Sequence, residues 1–396
     1  MSSGPDLGRA VELAVAAALE PLEGEPPDLL AVFVCGADPH QIDALVPGVL
    51  DATGARHSLG CTASGVAGAG NARETGLAVS AWAAVLPGLS LRAFHLEVMK
   101  VEAGVAVIGL PEPLTDEGTA LLLADAFSFP TSSFLGQLDA RSPGLAVVGG
   151  LAAGMQGPGS TRLIIDGRLF DRGAVGLLLG GSDDVDSGDA DGGDADSESG
   201  TGAADLVCPV VSQGCRPVGP DMTVTRAEDN VLLELAGVPA PQRLQQLLAG
   251  LPEAEQARFH DSPQIGTAVD EYAEERGQGD FVIRPLLGLD LDRPGISIPD
   301  PVAVGRTVRF HVLDAEAAGA DLRAALYGAG RASGALVFSS ARRGQAMFGC
   351  SDHDVTTVRD LTGARAVVGA FTGGELGPVA GRNHLHGFSA SALLFR

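Results

Sequence analysis

The chain has 396 residues, of which 55 are glycine and 45% are apolar, a composition that supports a buried core and excludes global disorder. Its 26 basic and 50 acidic side chains give a formal net charge of −24. This charge repels phosphate backbones and anionic lipid, so neither nucleic acid nor a membrane is expected as a partner. The sequence also has no run of about 18 or more apolar residues that could span a bilayer.

The N-terminus has no basic stretch before its apolar residues, so a secretory signal peptide is not expected. Residues 11–19 predict a helix within an N-terminal lead, residues 1–27. The five cysteines are widely spaced, and no pair has the spacing of a zinc or redox motif. They predict free thiols in a reducing compartment, and hence a cytoplasmic protein.

A sequence repeat is the most informative feature of the chain. The pattern G-x4-G-x2-G occurs three times, starting at Gly60, Gly149 and Gly369. Strand-like runs precede the copies at 29–34, 105–110 and 335–338, and follow them at 76–84, 173–179 and 387–395. Between the first strand and the glycines we expect a helix, most clearly at 119–126. The repeated unit is therefore strand, helix, strand end, glycine-rich loop, strand.

The glycine loops allow two interpretations. They are either tight turns between strands, or loops whose backbone N–H groups converge on one ligand. No loop ends in Gly-Lys-Ser/Thr, and none begins Gly-x-Gly, so a Walker loop and a dinucleotide fingerprint are excluded. The candidate ligand contacts in these loops are Cys61, Thr62, Ser64, Gly149 and Gly150.

Residues 181–205 are almost entirely Gly, Ser, Ala and Asp, with eight acidic residues between Asp183 and Glu198. Such a segment cannot bury enough apolar surface to offset the entropy of ordering, so we expect a disordered acidic insertion. Its carboxylates lack EF-hand spacing, and a calcium site is not predicted.

Several stretches resemble the FIST proteins, from about residue 28 to the end of the chain. They are LGCTASGVAG (59–68), VVGGLAAG (147–154), DRGAVGLLLG (171–180), VSQGCRPVGP (211–220), VTRAEDNVLLELAGVPA (224–240), FVIRPLLGLD (281–290), the Arg343-Gly344 step, GGELGP (373–378) and NHLHGFSA (383–390). The resemblance implies a FIST N-terminal domain at 28–235 and a FIST C-terminal domain at 236–396.

The resemblance also implies a role. Such domains are known mainly as sensory modules thought to bind small ligands such as amino acids, and some bacterial members resemble haem-based nitric oxide sensors. We therefore expect a signal-transduction protein that binds an amino acid or organic acid and acts through a separate signalling partner.

Gln213, Gly214, Cys215 and Arg216 form a candidate contact segment. Arg216 could hold a ligand carboxylate through two parallel hydrogen bonds, or it could tie parts of the chain together through carbonyls or an aspartate. Cys215 could act as a nucleophile only with a nearby base, which the sequence does not supply.

A second group of candidates lies near the C-terminus. On a strand, His384 and His386 would share one face, and with Glu375 they could bind a divalent metal. Haem ligation by one histidine, a polar wall of a ligand site and purely structural roles are the alternatives. Asn383 and Arg343 complete the candidate contacts.

The sequence predicts an α+β protein of two related halves, each a mixed, largely antiparallel sheet with helices on one face, packed together. The leading functional hypothesis is a non-enzymatic cytosolic ligand-binding sensor without a resident cofactor or metal. A haem-binding nitric oxide sensor is the alternative. An enzyme using Cys215 or the His384/His386 pair is the weaker alternative.

Overall fold

The computed structural model describes residues 1–3, 6–68, 70–102, 104–114, 118–153, 157–181, 206–290 and 292–396. The acidic insertion predicted at 181–205 therefore lies, apart from Gly181, outside the described residues. The chain forms two compact units. Unit 1 comprises Met1–Val211, Arg323–Leu385 and Ala390–Arg396, and unit 2 comprises Ser212–Leu322 and His386–Ser389. Unit 2 is thus inserted into the chain of unit 1.

The first two copies of the repeat form the N-terminal part of unit 1. Copy 1 contains β1 (Ser2–Ser3), α1 (Leu7–Leu19), β2 (Leu29–Cys35), α2 (Pro39–Asp51), β3 (His57–Thr62), β4 (Gly65–Gly68), β5 (Asn71–Arg73) and β6 (Ala78–Ala84). Copy 2 contains β7 (Leu89–Val101), β8 (Gly104–Ile108), β9 (Thr119–Asp125), α3 (Thr131–Arg141), β10 (Ala146–Ala152), β11 (Leu163–Ile165), β12 (Arg168–Phe170) and β13 (Ala174–Gly181).

The third copy begins with β14 (Val207–Ser212) and is then interrupted by unit 2. The elements that follow are β15 (Cys215–Glu228), β16 (Val231–Leu235), β17 (Val238–Pro239), α4 (Ala240–Gly250), α5 (Glu253–Asp261), β18 (Gln264–Ala268), β19 (Phe281–Pro285), β20 (Gly288–Asp290), β21 (Gly295–Ser297) and β22 (Thr307–Leu313). Copy 3 resumes within α6 (Ala315–Ala329), since unit 2 extends to Leu322. It continues with β23 (Gly334–Ser340), α7 (Gln345–Phe348), α8 (His353–Thr362), β24 (Ala366–Thr372), β25 (Glu375–Val379), β26 (Arg382–His386) and β27 (Ala390–Phe395).

The three sheets of unit 1 share one strand order. They run β1-β6-β2-β3-β11-β12, β8-β7-β13-β9-β10-β25-β26 and β14-β27-β23-β24-β4-β5. Each sheet has one pair of parallel strands from a single copy, which is β2 with β3, β9 with β10 or β23 with β24. The last strand of the same copy, β6, β13 or β27, pairs antiparallel with the first strand of that pair. The final hairpin in each sheet comes from another copy. The copies therefore exchange hairpins in cyclic order.

A shared core lies between the three sheets. It contains Phe33 of β2, Leu121 of β9 and Phe338 of β23, and the rings of Phe33 and Phe338 meet edge to face at 5.8 Å. Alternate residues of the same strands face outward against helices, as Val32 does in the cluster with α1 and α2 and Leu122 does in the cluster with α3. These strands are buried on both faces, which explains why their sequences are continuous apolar runs.

Unit 2 is built on one antiparallel sheet of order β19-β18-β22-β15-β16-β21-β20, with β17 paired to β16. Two register shifts interrupt the pairing of the long strand β15 with β16, and a third interrupts its pairing with β22. The core of this unit includes Val218, Phe259 of α5 and Phe310 of β22, whose two rings lie 5.8 Å apart.

The α+β class with mixed sheets is confirmed. The helix predicted at 11–19 is part of α1, and all five cysteines are free thiols. The helix predicted at 119–126 is wrong, because Thr119–Asp125 is β9, the first strand of the parallel pair in copy 2. A short apolar run fits a buried strand and a buried helix equally well, and periodicity does not separate them. Among the residues that the structure describes, no helix is long and apolar enough to cross a bilayer.

The first glycine of each motif lies in the second parallel strand of its copy, and Gly149 shows why it is glycine. Its φ of +148° is unfavourable for other residues, and a Cβ at this position would overlap the carbonyl oxygen of Leu122 in β9.

We expect Gly149→Ala to lower the free energy of unfolding by about 3 kcal/mol or more, measured by chemical denaturation.

Gly136 is the matched control for this substitution. It lies in α3, where a Cβ would meet nothing within 4 Å. Gly136→Ala should leave stability unchanged or raise it by up to about 1 kcal/mol. Equal effects of the two substitutions would contradict the steric explanation for Gly149.

Candidate ligand site

The glycine loops that follow the second strands meet one another in unit 1. The Ala153 N–H donates to the Thr62 carbonyl at 3.1 Å, and the Ser64 N–H donates to the Phe371 carbonyl at 3.0 Å. Between copies 2 and 3, Gly373 N–H donates to the Leu151 carbonyl at 3.0 Å. The loops therefore contact one another through their backbones. These N–H groups, however, bond to carbonyls of neighbouring copies.

The side chains predicted as contacts in the first loop also have protein partners. The Thr62 hydroxyl accepts a hydrogen bond from the Arg162 N–H at 3.0 Å, and the Ser64 hydroxyl donates to the Phe371 carbonyl at 3.0 Å. Cys61 is fully buried, and burial raises the pKa of its thiol to about 12. This thiol is therefore a poor nucleophile near neutral pH.

Gly150 and Glu375 are brought together by the hairpin exchange. They are paired residues in β10 and β25, and the Glu375 carboxyl is fully buried. The Thr372 hydroxyl lies 2.9 Å from Glu375 Oε1 and 3.3 Å from the Ser339 carbonyl. A Cβ on Gly150 would collide with the Thr372 side chain, so the absence of a side chain here makes room for this polar contact.

Arg343 follows β23 and lies in a buried polar network. Its guanidinium donates two hydrogen bonds to Asp354 of α8, at 2.8 and 3.0 Å, and the Ser339 hydroxyl donates to the same carboxylate at 2.8 Å. Burial alone would raise the pKa of the Asp354 carboxyl. The charge of Arg343, with hydrogen bonds from His353 and Arg343, lowers this pKa below its ordinary value.

Sequence reasoning missed the corresponding network of copy 2. Asp125 ends β9 and is buried; its carboxylate accepts hydrogen bonds from the Thr161 hydroxyl at 2.6 Å and from the N–H of Ser128 at 2.8 Å. The available signal was an aspartate that directly follows an apolar strand, but the segment was interpreted as helix. Both networks lie at the carboxyl ends of parallel strands.

Asn383 is used to join copies 2 and 3. Its amide nitrogen donates to Asp139 Oδ1 at 2.7 Å and to the Leu145 carbonyl at 2.8 Å, and its amide oxygen accepts from the Val147 N–H at 2.7 Å. Three of the four hydrogen bonds that an asparagine side chain can form are thus made within the protein.

The two C-terminal histidines lie on β26, as predicted for a strand. His384 is half-buried and His386 is buried. No group of three or more His, Cys, Asp or Glu side chains in the described chain is arranged to hold a metal ion.

In unit 2, the segment from Gln213 to Arg216 is held by surrounding residues. The Gln213 N–H donates to Asp321 at 2.7 Å, its side-chain amide donates to the Phe281 carbonyl at 2.8 Å, and the Gly214 carbonyl accepts from the Asp314 N–H at 3.2 Å. Cys215 is 1% exposed, in an apolar cluster with Phe281.

Arg216 lies between two carboxylates of unit 2. Its Nε donates to Asp314 at 2.9 Å and its Nη2 to Glu255, while Arg258 contacts the same two acids. These contacts correspond to the alternative in which Arg216 ties parts of the chain together.

A groove of about 600 Å³ opens in unit 1, lined mainly by residues of copies 1 and 3. Trp82 of β6 and Phe395 of β27 line it, are each 3% exposed, and have ring centroids 4.7 Å apart. The Trp82 indole N–H donates to the carbonyl of Ala366, the first residue of β24, at 3.2 Å.

The rest of the groove lining is mainly apolar, with a few polar groups. The apolar residues include Pro21, Leu22, Val85, Leu86, Pro87, Leu89 and Leu206, and the polar side chains are Glu23, Glu25, Ser333 and Arg396. None of the predicted contacts lies in this groove. Its residues come from segments far apart in the chain, so the sequence carried no local signal for it.

Comparison with known families identifies the chain. The FIST N domain model matches residues 28–238, and the FIST C domain model matches residues 240–378. The chain belongs to the FIST family. FIST domains are associated with sensory roles in signal transduction rather than with catalysis. The boundary between the two FIST matches falls inside unit 2, within β17 and directly before α4.

Two mycobacterial relatives align with nearly the whole length of this FIST protein. An uncharacterised protein of Mycobacterium tuberculosis (strain CDC 1551 / Oshkosh) is 37% identical over 400 residues, covering 100% of this chain and 98% of the relative. An uncharacterised protein of Mycobacterium bovis (strain ATCC BAA-935 / AF2122/97) is 37% identical over 396 residues, covering 99% and 96%.

The contacts of Arg216 predict the effect of replacing it. A lysine cannot span Asp314 and Glu255 as the guanidinium does, so Arg216→Lys should destabilise the ligand-free protein by about 1 kcal/mol. Arg172→Lys, in an exposed pair with Asp171, is the control and should have little effect. Thermal unfolding checks both. Unchanged stability combined with a large loss of ligand affinity would instead assign Arg216 to the ligand.

The buried Arg343–Asp354 pair predicts a larger effect. Asp354→Asn leaves the Arg343 charge without its counterion and should cost about 3–5 kcal/mol near neutral pH, measured by urea denaturation. Asp360→Asn, in an exposed pair with Arg359, is the control and should cost less than about 1 kcal/mol.

The same pair predicts a pH dependence. The pKa of Asp354 is lower in the folded state than its ordinary value of 3.8, so its contribution is complete above that value and is lost as the pH falls toward the folded pKa. The stability difference between wild type and Asp354→Asn should therefore shrink on acidification. A difference that stays constant with pH would contradict this assignment.

Proposed function

We propose that this FIST protein is a non-enzymatic sensory protein that binds a small ligand in the groove beside Trp82. The groove itself carries the proposal. Its volume of about 600 Å³ lies within the range typical of small-molecule sites, roughly 300–1,000 Å³. Such sites combine mainly apolar walls with a few polar groups, and this lining has the same composition.

The state of the candidate nucleophiles supports binding rather than catalysis. The Cys61 thiol has a pKa of about 12, and the Cys215 thiol lies in an apolar cluster. Neither resembles the exposed, low-pKa cysteines that act as nucleophiles. The candidate polar contacts in the glycine loops bond to other parts of unit 1.

The alternative of a haem sensor gains no support from this groove. Haem bound through a histidine needs an imidazole at the wall of its cavity. No histidine lines the groove beside Trp82. The proposal therefore concerns an organic ligand, and amino acids and organic acids, which the family resemblance suggests, are the first to be screened.

The proposed setting is the cytoplasm, with a separate protein receiving the signal. The free thiols at all five cysteines support a reducing compartment. The groove also supports signalling: a ligand there would contact both β6 of copy 1 and β24 of copy 3.

Thermal-shift screening tests the proposal. A ligand at 100 times its Kd should stabilise the native state by about 2.7 kcal/mol. Ser333 lines the groove. Its backbone N–H donates to the Phe395 carbonyl at 2.7 Å and its carbonyl accepts from the Arg365 N–H at 3.0 Å, and a change of side chain removes neither bond. Ser333→Phe should therefore fill the groove and abolish the ligand-induced shift without lowering the ligand-free melting temperature.

Ser132→Phe is the matched control, because Ser132 is exposed on α3 and does not line the groove. This variant should keep the full shift. A ligand that stabilises wild type and Ser333→Phe equally must bind elsewhere, which would refute the groove as the sensory site.

A further inference from the structure

We infer that the occupant of the groove beside Trp82 is an organic cation with an apolar body. This inference rests on the proposed function, since it concerns the same groove. Among the charged side chains of the lining are two carboxylates, Glu23 and Glu25, and one guanidinium, Arg396. The two carboxylates outnumber the guanidinium, and this excess of negative charge favours a cationic ligand.

The two carboxylates are available to a ligand. Glu23 and Glu25 are exposed on the turn that follows α1, and neither carboxylate pairs with a basic group in the part of the chain that the structure describes. The turn is fixed by its backbone. The Glu23 N–H donates to the Glu20 backbone carbonyl at 3.3 Å, and the Glu25 N–H donates to the Leu22 backbone carbonyl at 2.9 Å. Glu23 has a left-handed φ of 52°.

The guanidinium of Arg396 is already engaged. Its Nη2 donates to the Ala329 carbonyl at 3.1 Å, and the backbone N–H of Arg396 donates to the Leu206 carbonyl at 2.9 Å. A hydrogen bond to a neutral carbonyl orients the guanidinium but does not cancel its charge. The charged side chains of the lining are thus two carboxylates and one guanidinium, and their sum is negative. An ammonium or guanidinium group on the ligand would supply the partner that Glu23 and Glu25 lack.

The net charge of the whole chain has the same sign. With a net charge of −24 on the whole chain, the field raises the local concentration of cations and lowers that of anions. A ligand that is only a carboxylic acid is disfavoured here.

The rest of the lining selects an apolar body. Trp82 and Phe395 form a tilted ring pair that is 3% exposed at each ring, so the prolines and leucines of the lining supply most of its apolar surface. A small hydrated cation would leave this apolar surface in contact with water. A ring or alkyl chain of the ligand would cover it and gain the free energy of apolar burial.

The single tryptophan of the chain makes the test direct. Because Trp82 lines the groove, its fluorescence reports groove occupancy. The probes are phenylbutylamine, phenylbutanol and phenylbutyrate, which share one apolar body and differ in head-group charge. We expect the amine to bind about three- to tenfold more tightly than the alcohol, and the acid to bind more weakly than the alcohol.

The double variant Glu23→Gln/Glu25→Gln identifies the groups responsible. It should raise the Kd of the amine to about that of the alcohol and leave the alcohol unchanged. The control is Glu20→Gln, since Glu20 is exposed next to the same turn but does not line the groove. This control should bind all three probes as wild type does.

The outcomes separate the two proposals. If the alcohol binds but the amine has no advantage, or if the double variant keeps that advantage, the charge inference is wrong and the groove remains a ligand site. If none of the probes changes Trp82 fluorescence or the melting temperature, the inference fails with the proposed function. Tighter binding of the acid than of the amine would reverse the assigned charge.

Discussion

The exchange of hairpins between three similar copies is the constraint on which unit 1 depends. A strand of three or four residues, such as β4 or β11, is too short to be stable alone. Each is held because it completes a sheet whose central strands belong to another copy. The same exchange closes the shared core around Phe33 and Phe338. No copy can bury its apolar faces without the other two, so unit 1 is expected to fold cooperatively.

Because the sheets close around one core, polar groups at the ends of the parallel strands form hydrogen bonds within the protein. At the carboxyl ends of the parallel strands, the loops bond to one another, and the buried carboxylates of Asp125 and Asp354 are surrounded by donors. Ligands of open parallel sheets usually bind at such strand ends. Here those ends join the copies. The groove instead lies at the amino ends of β23 and β24, next to Ala366 and outside the part of β24, Val368 to Phe371, that pairs with β4.

A ligand in that groove would act on the border between copies 1 and 3. Binding can shift an equilibrium only by the difference in affinity between two states. The groove is suited to produce such a difference, because its walls belong to different copies and a ligand would contact both. Trp82 already links them through its hydrogen bond to the Ala366 carbonyl. A sensory role therefore requires no catalytic group in the groove.

The sequence by itself determined the repeat, the free thiols, the FIST resemblance and most strands, because glycine spacing, cysteine spacing and apolar runs are local patterns. The run at Thr119–Asp125 was misassigned because a fully buried strand has no polar alternation. Only the tertiary structure decided that hairpins are exchanged, that Arg216 faces Asp314 and Glu255, and that a groove forms beside Trp82. These features join residues from distant parts of the chain, and no local pattern records which distant segments will meet.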